Sequence, residues 1–366
     1  MFKKKIQFLF KYFIQKIFIL LYGKINANNN NFNKLFIKKK IFNFSHDLFP
    51  EKSYFIYLLT DCRIYTDTNE NLAIIKNNTI IPEISFQQVK GEFKSIEFNS
   101  CIQKGTPRIK KKIKGTVFNL AQGASGDNFF HFLFDIIPKV WLINESVSNE
   151  EINYFYVNKI YTWQKNIFKI IGIEEKKLLD ASIYRHIQVD KLIAVTHPWY
   201  EKGFIQNEVK SLPNWIIERN RKKFLPLIKN NKKNKTKLFL DRSGSIFSHC
   251  KILNNKELIQ YLKKKGFEIY EPEQHTFLKQ IEKFNDSDII LGAHGAAFTN
   301  IIFCKEKTNI IEIIPVSHPS KKCERISKIL NLKYYRYETQ DTSKDKINPY
   351  NINVDLNYLE SLINKL

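Results

Sequence analysis

Beyond residue 237, short apolar runs alternate with segments whose apolar residues recur at helical spacing. The runs KLFLD, FEIYEP, DIILG, NIIEIIP and KYYRYE predict strands, and the segments between them predict helices over 255–265, 276–285, from 296, and over 321–330. Strands that alternate with helices in this way form right-handed βαβ units around a parallel sheet. The pattern therefore predicts a Rossmann-like domain over residues 237–345, with ligands at the carboxyl ends of its strands.

The first half of the chain has a less regular pattern. Strand-like runs such as YFIYLL, TVFNLA, YFYV and LIAV accompany one long helical pattern over 128–143, so we predict a second α/β domain over 46–227. The polar segment 228–236 predicts a linker between the two domains. A tail over 346–366 ends in a helix that could return to the first domain.

Residues 1–45 form a separate basic segment, in which the apolar stretch FKKKIQFLFKYFIQKIFILLYG precedes an Asn- and Lys-rich linker. Lysines interrupt the stretch, so its uncharged run is far shorter than the ~20 residues that a membrane-spanning helix needs. Lys4, Gln7, Lys11 and Gln15 share one helical face, which predicts a basic amphipathic helix lying on an anionic membrane. The alternatives are a helix packed on its own domain and a signal peptide.

The net charge of +23 indicates either an anionic neighbour or a compositional bias spread over a solvated surface, and the candidate neighbours are nucleic acid, an anionic membrane and phosphate-bearing substrates. Nucleic acid is not predicted, because no arginine stripe interleaved with aromatic residues and no nucleic-acid motif is visible. The five cysteines have neither metal-site nor disulfide spacing. We therefore predict a cytoplasmic protein, with peripheral contact at the inner membrane face as a further expectation.

The segment LGAHGAAFTNIIF, residues 291–303, predicts an anion site where a buried strand turns into a helix. The small residues Gly292, Gly295 and Ala296 let a ligand approach the backbone, and a helix start offers unpaired N–H groups. His294 could donate to a phosphate oxygen, or alternatively bond to local backbone. The segment has neither the GxGxxG spacing of dinucleotide binders nor a P-loop ending.

Two charged residues follow or lie within neighbouring strands of the same domain. Arg242 comes directly after KLFLD and could hold a diphosphate, whereas the alternative is a salt bridge with a nearby acid such as Asp241. Glu312 lies inside the apolar run NIIEIIP, where a carboxylate needs partners such as ribose hydroxyls. Its alternative is a buried ion pair with Arg242.

These segments resemble glycosyltransferase family 61. The resemblance rests on LDRSGS, EPEQHTFLKQIEKFNDSDIILGAHGAAFTNIIF and NIIEIIP, together with the aromatic-rich NFFHFLFDIIPKVWLI over 128–143. It implies an α/β fold of two Rossmann-like domains facing across a cleft (GT-B type), with a nucleotide-sugar in the C-terminal domain, a glycan acceptor, and inversion at the anomeric carbon. The sequence departs from the family pattern in two places. Ala297 replaces the usual glycine, and Ser243-Gly244-Ser245 replaces an arginine-rich run.

The resemblance also extends the predicted donor site. Thr276, Gln280 and Asn300 lie in the stretch that matches the family and join Arg242, Gly292, His294, Gly295, Ala296 and Glu312 as predicted donor-binding residues.

His131 and Asp135 are four residues apart and share one face of an otherwise apolar helix. Inverting sugar transfer needs a base for the acceptor hydroxyl, and we predict Asp135 as that base with His131 orienting it or binding the acceptor. One alternative makes His131 the base. The other is a purely structural His–Asp bond.

No metal or cofactor is predicted beyond the nucleotide-sugar substrate. Asp286-Ser287-Asp288 spells a DxD motif but precedes a strand, so we interpret it as a helix end. The expected function is inverting sugar transfer to a surface polysaccharide, such as a capsule or lipopolysaccharide, or to a lipid-linked glycan. The alternatives are another nucleotide-dependent transferase or epimerase and, less favoured, a basic nucleic-acid-binding protein.

Overall fold

The computed structural model describes residues 2–27, 35–67, 70–122, 127–144, 151–229, 236–244, 250–340 and 350–366. The chain divides into two compact units, Met1–Glu208 and Val209–Leu366. Parts of the two predicted linkers, at 28–34 and 230–235, lie outside the described residues, as do residues 245–249 and 341–349.

The first unit is built on a mixed sheet that has eleven strands within the described residues. The strands are β1 (Ile37–Ile41), β2 (Tyr54–Thr66), β3 (Asn71–Lys76), β4 (Thr79–Ile80), β5 (Phe86–Val89), β6 (Glu92–Phe93), β7 (Lys111–Asn119), β8 (Tyr154–Val157), β9 (Leu178–Asp180), β10 (His186–Val195) and β11 (Gly203–Phe204). Their order is β11-β6-β5-β3-β2-β10-β7-β8-β9, with β1 paired to β2 and β4 to β3.

The two halves of this sheet differ in direction. β10, β7, β8 and β9 pair in parallel, whereas β2 pairs antiparallel with both β10 and β3. The mixed α/β character is as predicted, but the sheet is only partly parallel, unlike that of a Rossmann-like domain. The parallel pairing of β7 with β10 brings the carboxyl ends of these two strands to one edge.

The helices of the first unit are mostly short. Their bounds are α1 (Phe2–Tyr22), α2 (Ser100–Lys104), α3 (Phe129–His131), α4 (Ile137–Ile143), α5 (Thr162–Ile170) and α6 (Ile205–Glu208), with a π-helical turn at Phe132–Ile136. Short 3₁₀ turns occur at Pro82–Ile84, Ile96–Phe98 and Glu175–Lys177.

The second unit has the Rossmann-like pattern predicted for it. Its described strands are β12 (Thr236–Leu240), β13 (Phe267–Tyr270), β14 (Ser287–Ala293), β15 (Asn309–Pro315) and β16 (Lys333–Thr339), and all pair in parallel in the order β13-β12-β14-β15-β16. β14 and β15 are buried along nearly their whole length, which explains why they appear as continuous apolar runs in the sequence.

Helices and 3₁₀ turns surround this sheet. They are α7 (Asn214–Phe224), α8 (Asn255–Lys264), α9 (Phe277–Asp286), α10 (Lys322–Ile329) and α11 (Leu356–Ile363), with 3₁₀ segments at Val209–Ser211, Leu225–Leu227, Pro272–Gln274 and Ala296–Phe303. The facing arrangement predicted for the two domains stays a prediction.

The division between the units falls before α7, about twenty residues earlier than the predicted linker at 228–236. The reason is that α7 packs within the second unit. Phe224 meets the rings of Phe277 and Phe303 edge-on, and Arg221 donates to the carbonyl oxygens of Ile302 and Cys304 at 2.6 and 2.8 Å.

The C-terminal helix also belongs to the second unit. Leu359 and Ile363 of α11 pack into the core formed by β13, β14 and β15, beside residues such as Phe267 and Ile289. The suggestion that this helix returns to the first domain is therefore wrong, because its apolar face is already covered here.

The N-terminal helix α1 contacts its unit mainly through its last turn. Tyr22 packs edge-on against His186, with ring centroids 5.1 Å apart, and the backbone of Gly105 lies close to Ile19. Much of the rest is exposed, including Phe8, Leu9, Phe10, Phe13 and Leu20. None of the described helices combines the length and the apolar character needed to cross a membrane.

Candidate functional site

A single interrupted helix positions His131 and Asp135. Asn128 caps its start, since its side-chain oxygen accepts from the N–H of Phe130 at 2.9 Å. Within it, the Ile137 N–H donates to the Phe132 carbonyl five residues back, which defines a π-turn. Pro138 explains this widening, because a proline inside a regular helix clashes with the carbonyl four residues earlier.

Asp135 is almost completely enclosed, with 1% of its side chain exposed. His131 Nδ1 lies 2.7 Å from Oδ2, Gln122 Nε2 donates to the same oxygen at 2.8 Å, and Trp199 Nε1 donates to Oδ1 at 2.6 Å. Both carboxylate oxygens are thus engaged by side chains of the same unit. A histidine that donates through Nδ1 keeps, in its neutral form, a lone pair on Nε2.

Sequence reasoning missed Gln122, Lys139, His197 and Trp199, which complete this cluster. Gln122 follows β7 and the segment His197–Tyr200 follows β10, so the shared edge of these parallel strands brings them together. The signal in the sequence was the polar and aromatic residues directly after the apolar runs TVFNLA and LIAV. These two runs lie far apart in the sequence, and nothing in either run indicates that they pair in parallel.

His197 is held as a neutral imidazole. Its Nδ1 accepts from the N–H groups of Trp199 and Tyr200 at 3.2 and 2.8 Å, and its Nε2 lies 2.8 Å from Gln122 Nε2. Burial, followed by the nearby positive charge of Lys139, keeps the pKa of His197 well below its usual value.

Lys139 is a buried lysine one helical turn beyond Asp135. Its ammonium donates to the carbonyl oxygens of Leu120 and Ala121 at 3.1 and 3.3 Å, just beyond β7. Burial lowers the pKa of Lys139 to about 7, although the charge of Asp135 acts to raise it. A lysine with this pKa is only partly charged near neutral pH.

In the second unit, two cations lie against the turn that follows β14. The guanidinium of Arg242, which lies two residues beyond the end of β12, donates to the carbonyl of His294, and Lys322 Nζ donates to the carbonyl of Gly295 at 2.8 Å. A Cβ on Gly295 would lie 2.4 Å from Arg242 Nη1. Close approach of the Arg242 side chain, rather than an unusual backbone angle, therefore favours glycine at this position, and a larger residue would displace the arginine.

Glu312 holds the His294 side chain. Its Oε1 lies 2.5 Å from His294 Nδ1 and accepts from the Cys323 thiol at 3.0 Å, while Oε2 accepts from the Tyr334 hydroxyl at 2.6 Å. Burial alone would raise the pKa of Glu312, but His294 and the hydrogen bonds from all three side chains outweigh it and lower that pKa. Sequence reasoning did not find Lys322, Cys323 or Tyr334.

The remaining predicted donor residues form a second group. Asn300 Nδ2 donates to Gln280 Oε1 at 2.8 Å, and Gln280 Nε2 donates to the carbonyls of Pro272 and His275 at 2.8 and 3.1 Å. Thr276 is exposed and directly precedes α9. Its backbone carbonyl accepts a hydrogen bond from the N–H of Gln280, in the first turn of that helix, at 3.0 Å. Ala296 begins the 3₁₀ segment that contains Asn300.

Gly292 serves the packing of the sheet. A Cβ on it would lie 2.9 Å from the Leu240 Cβ and 3.2 Å from the Leu240 carbonyl oxygen on β12. The absence of a side chain therefore allows β14 and β12 to approach at the end that carries Arg242 and His294.

The DxD-like triplet spans the end of α9 and the first two residues of β14, so the predicted helix end is confirmed for Asp286 only. α9 ends at Asp286, and β14 begins at Ser287. Among the residues that the structure describes, no group of three His, Cys, Asp or Glu side chains could hold a metal ion. The prediction of metal independence stays a prediction.

Polar side chains thus collect where parallel strands end in both units, which is typical of α/β enzymes. The sequence model described as Glycosyltransferase 61 matches residues 129–311, half of the chain, and spans both the His131–Asp135 helix and the His294 turn. The chain belongs to glycosyltransferase family 61 and is a glycosyltransferase. No curated protein sequence matches it.

Proposed function

We propose that the protein transfers a sugar, with inversion, from a nucleotide-sugar to a hydroxyl of a surface polysaccharide or lipid-linked glycan. The observation that carries the proposal is the buried Asp135 carboxylate, both of whose oxygens accept hydrogen bonds from side chains of the same unit. Such an arrangement fixes an imidazole for proton transfer, because a carboxylate on Nδ1 sets both the tautomer and the orientation of the ring.

In this proposal His131 is the base and Asp135 orients it, the reverse of the roles predicted from the sequence. The His131 side chain is 15% exposed whereas that of Asp135 is 1% exposed, so the imidazole is the more accessible of the two. His131 Nε2 would take the proton of the acceptor hydroxyl as that oxygen attacks the anomeric carbon. Asp135 would stabilise the imidazolium that forms.

The donor is proposed to bind in the second unit, with its diphosphate beside the turn of His294 and Gly295. Arg242 and Lys322 supply positive charge there, and the start of the Ala296–Phe303 segment supplies backbone N–H groups. These groups would stabilise the departing nucleoside diphosphate without a metal ion. Glu312 is proposed to orient His294 rather than to contact the ribose, because both of its oxygens already accept hydrogen bonds.

A donor panel tests this proposal. Purified protein is incubated with UDP-, GDP- and CMP-sugars without acceptor, and the slow release of free sugar and nucleotide is measured. We expect one nucleotide class to be hydrolysed and to bind in calorimetry. If no nucleotide-sugar is bound or hydrolysed, the proposed activity is wrong.

We further propose that the enzyme works at the cytoplasmic face of an anionic membrane through α1. The support is the exposed apolar surface of α1 together with Lys11 and Lys16 and the net charge of +23. Apolar side chains would enter the headgroup region, and the lysines would pair with anionic lipids. A membrane-bound acceptor would then be concentrated near the enzyme.

A further inference from the structure

The first unit contains a cavity of about 390 Å³ beside the His131–Asp135 cluster. Its wall includes residues from the start of β2, from β5 and β6, and from the segments that follow β7 and β10. The volume lies within the range of small-molecule binding sites.

Aromatic rings form much of the cavity wall. They belong to Phe55, Tyr57, Phe86, Phe93 and Tyr200. Phe93 meets both Phe86 and Tyr200 edge-on, with ring centroids 5.4 and 5.6 Å apart, so these three rings form one packed surface. Such a surface offers flat apolar contact to a ligand.

Polar side chains interrupt the aromatic wall, and some of them are exposed while others are buried. Lys38, Glu83 and Glu201 are exposed, whereas Gln122 and Lys139 are buried. The wall therefore provides donors and acceptors of both charge signs around an apolar surface. A polar, uncharged ligand with apolar faces matches this mixture, because the wall has two lysines and two carboxylates with no excess of either charge, and its aromatic rings supply apolar contact.

The Tyr57 hydroxyl is a second sign of a ligand. Tyr57 is fully buried, and its hydroxyl has no hydrogen-bond partner among the described residues. An unsatisfied buried hydroxyl destabilises the folded chain, so a partner that reaches it is stabilising. A ligand hydroxyl would satisfy it.

Gln122 connects the cavity to the proposed base. It lines the cavity, and its Nε2 donates to Asp135 Oδ2, the oxygen that also meets His131 Nδ1. His131 itself is not part of the wall. A ligand in the cavity thus lies one side chain away from the reacting groups.

We propose that this cavity binds an uncharged sugar ring of the acceptor glycan, adjoining the unit whose hydroxyl reacts. The inference rests on the proposed function, which makes the acceptor a glycan. A pyranose ring has C–H faces that pack on aromatic rings and hydroxyls that pair with Tyr57, Gln122 and the carboxylates. The cavity therefore determines which glycan end the enzyme accepts.

Binding of methyl glycosides to the full chain tests this assignment. The probes are the methyl α- and β-glycosides of glucose, galactose, mannose and N-acetylglucosamine, detected by saturation-transfer NMR. Ser53→Trp places a large ring at the cavity wall, and Tyr57→Phe removes only the hydroxyl. Tyr65→Phe is the matched control, because Tyr65 lies on the same strand but packs in a separate core cluster.

We expect at least one probe to bind the wild type and Tyr65→Phe equally. Ser53→Trp should abolish that binding, and Tyr57→Phe should weaken it roughly fivefold, the effect of one neutral hydrogen bond. Thermal unfolding of each variant checks that the first unit is folded. The assignment is overturned if none of the probes binds the wild type, or if a probe binds folded Ser53→Trp as well as it binds the wild type.

Calorimetric titration with nucleotide-sugars separates this result from the proposed function. If the wild type binds a methyl glycoside but no nucleotide-sugar, the proposed activity is refuted and the cavity assignment is not. Nucleotide-sugar binding without any glycoside signal would refute only the cavity assignment.

Discussion

Asp135 and His131 share one hydrogen bond, but the His131 side chain is the more exposed of the two. Substitutions at each position can therefore distinguish which of them is the base. If the imidazole is the base, His131→Gln should lower transfer by about 10²- to 10⁴-fold. Asp135→Asn should be similarly damaging, and the double variant no worse than either, because the two act as a unit.

Initial rates at saturating donor, measured between about pH 5 and 9, check this prediction. Asp127→Asn changes the same type of side chain at an exposed position and serves as the control. If His131→Gln is nearly harmless while Asp135→Asn is not, the carboxylate is the base, as predicted from the sequence. If both variants are folded and active, the pair is structural.

Gly295 is the position where a single methyl group should affect donor binding. In Gly295→Ala the new Cβ would overlap the Arg242 guanidinium, so the arginine must move away from the turn. We expect donor affinity to fall by about 1.5 to 3 kcal/mol, as for Arg242→Ala, since one charge-assisted hydrogen bond is lost. Calorimetry with the preferred nucleotide-sugar measures it.

Gly244→Ala is the matched control for Gly295→Ala. Gly244 lies two residues after Arg242 in the sequence, but its new Cβ would meet only ordinary contacts, the nearest being Glu271 Oε2 at 3.5 Å. If wild type, Gly295→Ala and Gly244→Ala bind the nucleotide-sugar with equal affinity, the Arg242–Gly295 contact does not contribute to donor binding.

At the scale of elements, α1 can be tested without disturbing the fold. Phe8, Phe13 and Leu20 are exposed, whereas Ile19 and Tyr22 make the contacts with the first unit. Replacing the first three by serine should reduce co-sedimentation with phosphatidylglycerol vesicles and leave thermal unfolding nearly unchanged. Equal sedimentation of variant and wild type would exclude α1 as the membrane contact.

Helices and strands can be predicted from the sequence where the residues that determine them lie close together in the chain. In the second unit every strand lies in a short βαβ repeat, so apolar runs and helical spacing in the sequence indicate the right elements. In the first unit β2 pairs with β10, more than a hundred residues later, and the mixed direction of the sheet leaves no local signal. The helical pattern over 128–143 was visible because His131 and Asp135 stand out against apolar neighbours.

The buried partners were much harder to predict. Gln122, Trp199 and Lys322 come close to their sites only through tertiary packing, and lysine or glutamine in a sequence is usually a surface residue. Glu312 was recognised as a buried carboxylate in need of partners. That these partners are His294, Cys323 and Tyr334, rather than a ligand, depends on side-chain geometry.

For the whole molecule, the buried Lys139 makes folding stability depend on pH. Its pKa is about 7 in the folded chain and near 10.5 when unfolded, so between these values the unfolded state binds one more proton. The free energy of unfolding should therefore rise with pH across this window, by roughly 1 kcal/mol per pH unit from this residue.

Lys139→Met, which keeps the length of the side chain, should remove this contribution. Urea unfolding of the wild type and the variant is measured from about pH 7 to 10, and the unfolding free energy of the wild type is subtracted from that of the variant at each pH. The contributions of the other titrating groups cancel in this difference. The advantage of the variant should be largest near pH 7 and shrink as pH rises. A difference independent of pH would mean that Lys139 stays charged in the folded chain.

The π-turn at Phe132–Ile136 has a consequence for how this helix tolerates changes in length. A π-turn holds one residue more than an α-turn, so deletion of Leu133 would leave a regular helix without displacing α4. The π-turn already takes up the extra residue, so the flanking parts would keep their places, but the spacing of His131 and Asp135 would fall from four residues to three and change the geometry of their hydrogen bond. We expect such a deletion variant to fold but to lose transfer activity, so relatives that differ by one residue here would keep the architecture and change the chemistry.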